Sequence, residues 1–345
     1  MQTAPAPTRA SRLAGVALVV FAAVAFSAKA IIIKLAYRHG TDAVTLLALR
    51  MAMAAPFFLA IAWWTGRGGV TAALTRGDWR AIAFLGVLGY YLASLFDFLG
   101  LQYITAALER LVLFLYPTFV VLISAAFYGR SITGRDLAAL ALSYTGIALV
   151  FANDLATRQE NVLLGAFWVA LSAICYAVYL IGNGRMVRKM GSVLFASLAS
   201  VVSCVAVLAH FFVVREAPLL WTQPLPVYGL TFLMAIASTV LPVIAMSMGI
   251  RLIGSSHASM LGTVGPVATI FLGFAFLDEP ITAIQLAGAA LVMTGVAAIS
   301  LARAPGVPGA GVLFSEMATQ LAGGGNLRCR TGKQDNPCSG RDGAR

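Results

Sequence analysis

Six ionisable residues stand where an apolar sequence can least accommodate them. Lys29, Arg50, Asp97, Glu109, Arg110 and His257 all lie within, or at the ends of, long runs of apolar side chains. A charge at the centre of a membrane helix costs about 2.5–3.5 kcal/mol on insertion scales, so such residues are candidates for a substrate or ion pathway. Arg50 is the strongest single candidate, because the planar guanidinium fork meets a carboxylate through two parallel hydrogen bonds. Three bases (Lys29, Arg50, Arg110) against two acids (Asp97, Glu109) leave one positive charge, which favours a substrate carrying a carboxylate or similar anionic group. Asp97 is the candidate for coupling to protons, since desolvation disfavours the charged form of a carboxylate. His257 could titrate near neutral pH. The competing reading is structural. Lys29 with Asp97 and Arg50 with Glu109 would neutralise each other and fix packing. Glu109 and Arg110 would snorkel to the interface, and His257 would be interfacial.

The elements that must position these side chains follow from composition. Of 345 residues, 60% are hydrophobic and only 11% charged, and the mean hydropathy is +0.88. A single soluble core stops growing at about 250–300 residues, so lipid is the solvent that suits this much apolar surface. About 20 apolar residues cross a bilayer as a helix. Ten runs qualify: 13–33, 43–64, 81–101, 107–127, 137–152, 163–182, 193–214, 227–250, 258–277 and 283–301. The first is too long for the apolar core of a signal peptide, about 7–15 residues, and reads as a membrane helix. The fold class is therefore an all-α membrane protein. Pro117 and Pro266, the latter preceded by Gly265, interrupt helices and are hinge candidates.

The basic residues give the orientation. With a cytoplasmic N-terminus, the inner segments hold Arg9, Arg12, Arg67, Arg76, Arg80, Arg130, Arg135, Arg185, Arg188, Lys189 and Arg251. The outer ones hold Lys34, Arg38, Arg158 and Arg215. Basic residues concentrate on the cytoplasmic side, so both termini are expected there, in the cytoplasmic (inner) membrane. The same bias accounts for the net charge of +11. No basic stripe interleaved with aromatics appears, so no nucleic-acid partner is expected.

The sequence also repeats itself. A shift of 149 residues lays Gly100 on Gly249, Pro117 on Pro266, Ile132-Thr133 on Ile281-Thr282 and Thr145-Gly146 on Thr294-Gly295. Two halves follow, 13–152 and 163–301, each of five helices. Because five is odd, the second half must enter the membrane inverted. Inverted repeats are a transporter architecture with the substrate between the halves near the midplane. The segment 304–345 is rich in Gly, Pro and polar residues, lacks an apolar period and reads as a disordered C-terminal tail.

The stretches AALERLVLFLYPTFVVLISAAFYGRSITGRDLAALALSYTGIALV (106–150) and SSHASMLGTVGPVATIFLGFAFLDEPITAIQLAGAALVMTGVAAIS (255–300) resemble the EamA-type repeat of the drug/metabolite transporter superfamily. They share a mid-helix proline, a turn that is acidic in the family, and a glycine in the next helix. AFSAKAIIIKLAY and LLALRM in the first two helices resemble the family's N-terminal repeat. One position departs from the pattern: the family's acid after helix four is Arg130 here, whereas its counterpart after helix nine is Glu279. The resemblance implies a ten-helix exporter or exchanger of small metabolites.

These features lead to an expected function: a secondary transporter that moves a small organic metabolite, an amino acid or related and anionic compound, by alternating access, in the direction of export. A channel or a non-transporting scaffold is the alternative. A membrane-embedded enzyme would need HExxH, G-x-S-x-G or clustered aspartates, and a nucleotide-driven machine a Walker loop. The sequence contains none of these, and its cysteines match no zinc spacing. No catalytic residue, metal or cofactor is expected.

Overall fold

The computed structural model describes residues 9–67, 69, 71–128, 133–156 and 161–301, and these are helical, with no strand among them. The chain runs through α1 (Arg9–Tyr37), α2 (Ala43–Gly66), α3 (Arg76–Gly86), α4 (Ala93–Gly100), α5 (Ala106–Leu113), α6 (Tyr116–Tyr128) and α7 (Gly134–Ala156). It continues through α8 (Val162–Met190), α9 (Ser192–Val214), α10 (Leu225–Ala235), α11 (Leu241–Gly262), α12 (Val264–Leu277) and α13 (Ala283–Leu301). Single π-helical turns, Val87–Leu92 and Ile236–Val240, join α3 to α4 and α10 to α11. The expected tail at 304–345, Arg130, and the side chains of Arg251 and His257 lie outside the described residues.

Eight of these helical stretches are long and apolar enough to cross a membrane, and two shorter apolar helices accompany them. The sequence predicts ten spans. The difference falls in the last two. The 14-residue α12 rises only about 21 Å at 1.5 Å per residue, against roughly 30 Å of hydrocarbon. Its start is set by Pro266, which has no N–H to give the carbonyl of Gly262 four residues back, so the helix breaks at Thr263. Pro117 acts in the same way on Leu113. The expected helix 107–127 divides into α5 and α6, and the N–H of Thr118 turns to Leu115 O, three residues back, while Phe119 N–H resumes the regular bond to the same carbonyl.

Starts are capped by short polar side chains. Asp42 accepts from the N–H groups of Val44 and Thr45 at the head of α2. Thr75 and Asp78 cap α3 reciprocally, and Thr105 accepts from Leu108 N at the head of α5. The helices then pair closely: α1 lies along α11 and α12, α2 along α9, α4 and α6 along α8, and α7 along α13. The closest approach, α7 on α13, depends on having no Cβ. A Cβ on Gly146 would lie 2.5 Å from Gly288 O and 2.9 Å from Leu291 Cβ, whereas one on Gly134 would meet nothing. Gly146→Ala is therefore expected to lower thermal stability in detergent by about 1–3 kcal/mol, the usual cost of overpacking. Gly134→Ala should stay within about 0.5 kcal/mol of the parent, and equal melting curves for the two would refute the close approach.

Large apolar side chains, including Trp63, Trp64, Phe127, Phe212, Phe271 and Phe274, are exposed on the outside of the helix assembly. The segregation is that of a helical multi-pass membrane protein: polar groups inward, apolar groups outward to lipid.

Candidate functional site

Five of the six ionisable residues singled out from the sequence meet at one place. Lys29, on α1, donates to Asp97 Oδ2 on α4 at 2.5 Å. Asp97 is 1% exposed, and Glu109, on the first turn of α5, is 0% exposed. Their carboxyl groups interact directly, and Arg110 acts on both. Arg50, buried on α2, acts on Asp97 from a third side. The sixth candidate, His257, lies outside the described side chains.

The pairing differs from the structural expectation in one respect. Lys29 does pair with Asp97. Arg50, however, donates its Nε to Thr239 Oγ1 at 3.0 Å, and its guanidinium lies 5.5 Å from the centre of the Phe98 ring. Arg50 Nη1, Arg110 Nε and both Glu109 oxygens are buried without hydrogen-bond partners among the described residues. Thr239 sits in the π-helical turn Ile236–Val240 and donates to Met234 O. The wide turn carries its hydroxyl into the reach of α2. Sequence reading missed this residue, because a threonine in an apolar run has no charge to mark it.

The second half of the chain also closes the site from α12. Ser27, two residues before Lys29, donates to Gly265 O at 2.8 Å. A Cβ on Gly265 would stand 3.1 Å from Arg110 Nη2 and 3.3 Å from Ser27 Oγ. Gly265 thus lets the guanidinium lie against the backbone just before Pro266. Tyr176, which the Arg110 charge reaches, joins a run of rings. Tyr116 and Tyr176 pack edge to face at 5.1 Å, Tyr176 stacks on Tyr179 at 5.7 Å, and the Tyr90 and Tyr179 hydroxyls are 3.2 Å apart.

Toward the ends of α1 and α12, a second polar layer lies over the first. Lys34 donates to Ile104 O at 2.7 Å and pairs with Glu279 at 3.5 Å. Glu279 also accepts from Ala106 N, so it ties the head of α5 to the turn after α12. Arg38 donates to Leu277 O at 2.6 Å and faces Asp278. Beside these ties opens a cleft of about 250 Å³, lined by Lys34, Tyr37, Arg38, Leu101, Gln102 and Leu277. Its Tyr37 donates to Phe98 O at 2.7 Å, next to Asp97. Outside the spans, burial pushes the Asp42 carboxyl upward, but hydrogen bonds from Thr45 and the nearby Arg215 outweigh it and hold the group below the usual carboxylate range.

This arrangement gathers an ammonium, two guanidinium and two carboxyl groups from α1, α2, α4 and α5 in one buried place. No cluster of three or more potential metal-binding side chains occurs among the described residues.

Comparison with known proteins agrees with a membrane transporter. The model of the EamA-like transporter family matches residues 13–152 and 163–301. The Bacillus subtilis (strain 168) protein named uncharacterized transporter YcbK is 30% identical, covering 82% of this chain and 92% of its own. Uncharacterized transporter YyaM, from the same organism, is 24% identical over 72% of this chain and 81% of its own. A solved crystal structure superposes with a TM-score of 0.54 at 15% identity, covering 85% of this chain and 97% of that one, a likeness of fold alone.

Proposed function

The chain belongs to the EamA-like transporter family, and from that premise we propose that it is a secondary transporter of a small organic metabolite. The substrate is an amino acid or a related compound with an anionic group. It is exported across the cytoplasmic membrane by alternating access. The observation that carries this reading is Arg50: a buried guanidinium with a free Nη1, held by Thr239 and Phe98 at the seam between the two halves of the chain.

Alternating access needs two halves that can exchange roles, and the packing supports two inverted five-helix repeats, 13–152 and 163–301. Let α1 correspond to α8, α4 to α11, α6 to α12, α2 to α9 and α7 to α13. The pair α1–α11 then maps onto α8–α4, and α1–α12 onto α8–α6, while α2–α9 and α7–α13 map onto themselves. The close contact of Gly15 with Gly249 maps onto that of Gly165 with Gly100. The π-helical turns begin at Val87 and Ile236, and the boxes Thr133–Asp136 and Thr282–Gln285 cap α7 and α13 alike. All of these obey the 149-residue shift except Gly15 and Gly165, which are one residue further apart. Pro117 and Pro266 break their helices at matching places, which supports them as hinges. With the N-terminus cytoplasmic, the site and the layer of Lys34, Arg38, Glu279 and Asp278 lie toward the outside, and both chain ends lie inside.

The test is flux. Purified protein in lipid vesicles preloaded with a mixture of the common protein amino acids and their keto-acid relatives should show saturable exchange that empty vesicles lack. Single-channel currents, or no exchange by folded protein across the whole mixture, would count against a carrier of this class.

A further inference from the structure

Glu109 presents a count that does not close. Its two oxygens and Asp97 Oδ1 are buried with no hydrogen-bond partner among the described residues, although the two carboxyl groups lie directly against each other. An ionised carboxylate only accepts hydrogen bonds. Two ionised carboxylates face to face are two acceptors with no proton between them, and their like charges repel where water cannot screen them. One proton removes both problems, since the protonated group becomes the donor to the other.

The neighbours do not supply a substitute. On α1, Lys29 spends its bond on Asp97 Oδ2; Lys34 is engaged by Ile104 O and Glu279, and the Tyr37 hydroxyl by Phe98 O. On α2, Arg50 donates to Thr239. Arg110, on the same helix as Glu109, lies with its guanidinium against Gly265; its charge acts on both carboxyl groups, but it gives no hydrogen bond to either Glu109 oxygen or to Asp97 Oδ1. On α7, Asp154 accepts from Thr105. The helices α12 and α13 carry no ionisable side chain in VGPVATIFLGFAFL and AIQLAGAALVMTGVAAISL.

We infer that Asp97 and Glu109 form a proton-binding site that holds one proton between the two carboxylates while Lys29 neutralises the remaining charge. Asp97, the residue that the sequence marks for proton coupling, is the half that Lys29 already holds. Glu109 is the half whose protonation can change without breaking an ion pair. In a carrier that opens to each side in turn, such a pair loads on one side and unloads on the other. That consequence rests on the transporter reading, but the proton itself does not.

The experiment counts acids without any substrate. Infrared difference spectra of purified protein in lipid at neutral pH compare the parent with Glu109→Gln and with Asp97→Asn. A shared proton means one carboxylic acid and one carboxylate in the parent pair, and one carboxylate in either variant. Each difference spectrum should therefore lose one acid carbonyl band per chain and no carboxylate. That band should shift in heavy water, because the proton exchanges. Glu216→Gln, an exposed loop residue, should keep it. If the two variants instead lose a carboxylate band and leave the acid region unchanged, both groups are ionised and the site is refuted. Should a variant not fold, parent protein made with carboxyl-13C aspartate and glutamate reads the same proton: no isotope-shifted acid band means no site. Flux can fail while this band persists, and the reverse, so the two readings fail separately.

Discussion

Lys29→Met should be among the most destabilising single substitutions in the chain, costing about 3–5 kcal/mol, because it leaves the buried Asp97 carboxylate without its cation. The expectation follows from burial. Asp97 has 2% of its side chain exposed and Lys29 14%, at a separation of 2.5 Å, so solvent does not replace the lost partner. Asp97→Asn removes the same ion pair from the other side, yet it should cost less. Glu109 lies against Asp97 and already acts on Lys29, so the ammonium can turn to it, and the asparagine carbonyl still accepts. The double variant Lys29→Met/Asp97→Asn should be more stable than Lys29→Met alone, because the orphaned charge has gone. The gap between the double variant and the sum of the singles measures the coupling. Unfolding curves in one detergent for the three variants decide the matter. Equal costs for the two singles would mean that Glu109 is not within reach of Lys29. A negligible cost for Lys29→Met would mean that the pair is exposed to water.

The sequence carries some of these features openly and hides others, for physical reasons. Charges in apolar runs are costly and therefore conspicuous, and five of the six so marked converge on one site. The 149-residue shift is visible because matching helices keep their glycines and prolines, where backbones approach or break. What stays hidden is pairing. Nothing in a one-dimensional pattern says that Arg50 goes to Thr239 rather than to Glu109. That choice depends on a π-helical turn whose extra residue rotates Thr239 toward α2, and Ile236–Val240 has the composition of any buried helix. The roles of Ser27 and Gly265 are hidden as well, since a serine two residues before a lysine is unremarkable until α12 brings a carbonyl to it. The five charges all lie in the first half, whereas the partners that close the cluster, Thr239, Gly265 and Tyr176, come from the second, so the cluster sits at the seam between them. A helix break is hidden in a similar way: the apolar run from 258 to 277 shows only Pro266, and the chain leaves α11 at Gly262 and restarts as α12 at Val264.

Arg50→Lys should abolish most transport while leaving the fold nearly intact. Lysine keeps the positive charge that Asp97 and Phe98 face, but it replaces a planar fork with a single ammonium. That one head group cannot both hold Thr239 and present a second donor to a substrate anion. A hydrogen bond to a charged group is worth about 1.5–3 kcal/mol, which corresponds to roughly a 10- to 150-fold loss of flux at limiting substrate. Thr239→Val is the companion variant. It removes the hydroxyl that orients the guanidinium but leaves the fork in place, so its loss should be smaller and should appear mainly as weaker apparent affinity. If Arg50 merely braces α2 against the π-helical turn, flux and melting temperature should fall together in both variants, in proportion to the lost Nε–Oγ1 bond. If it binds the anion, Arg50→Lys loses flux while its melting temperature stays close to the parent's, and carboxylate-free analogues compete equally with parent and variant. Arg50→Lys with full flux for every anionic substrate that the parent moves would remove the guanidinium from the binding site and leave it as packing.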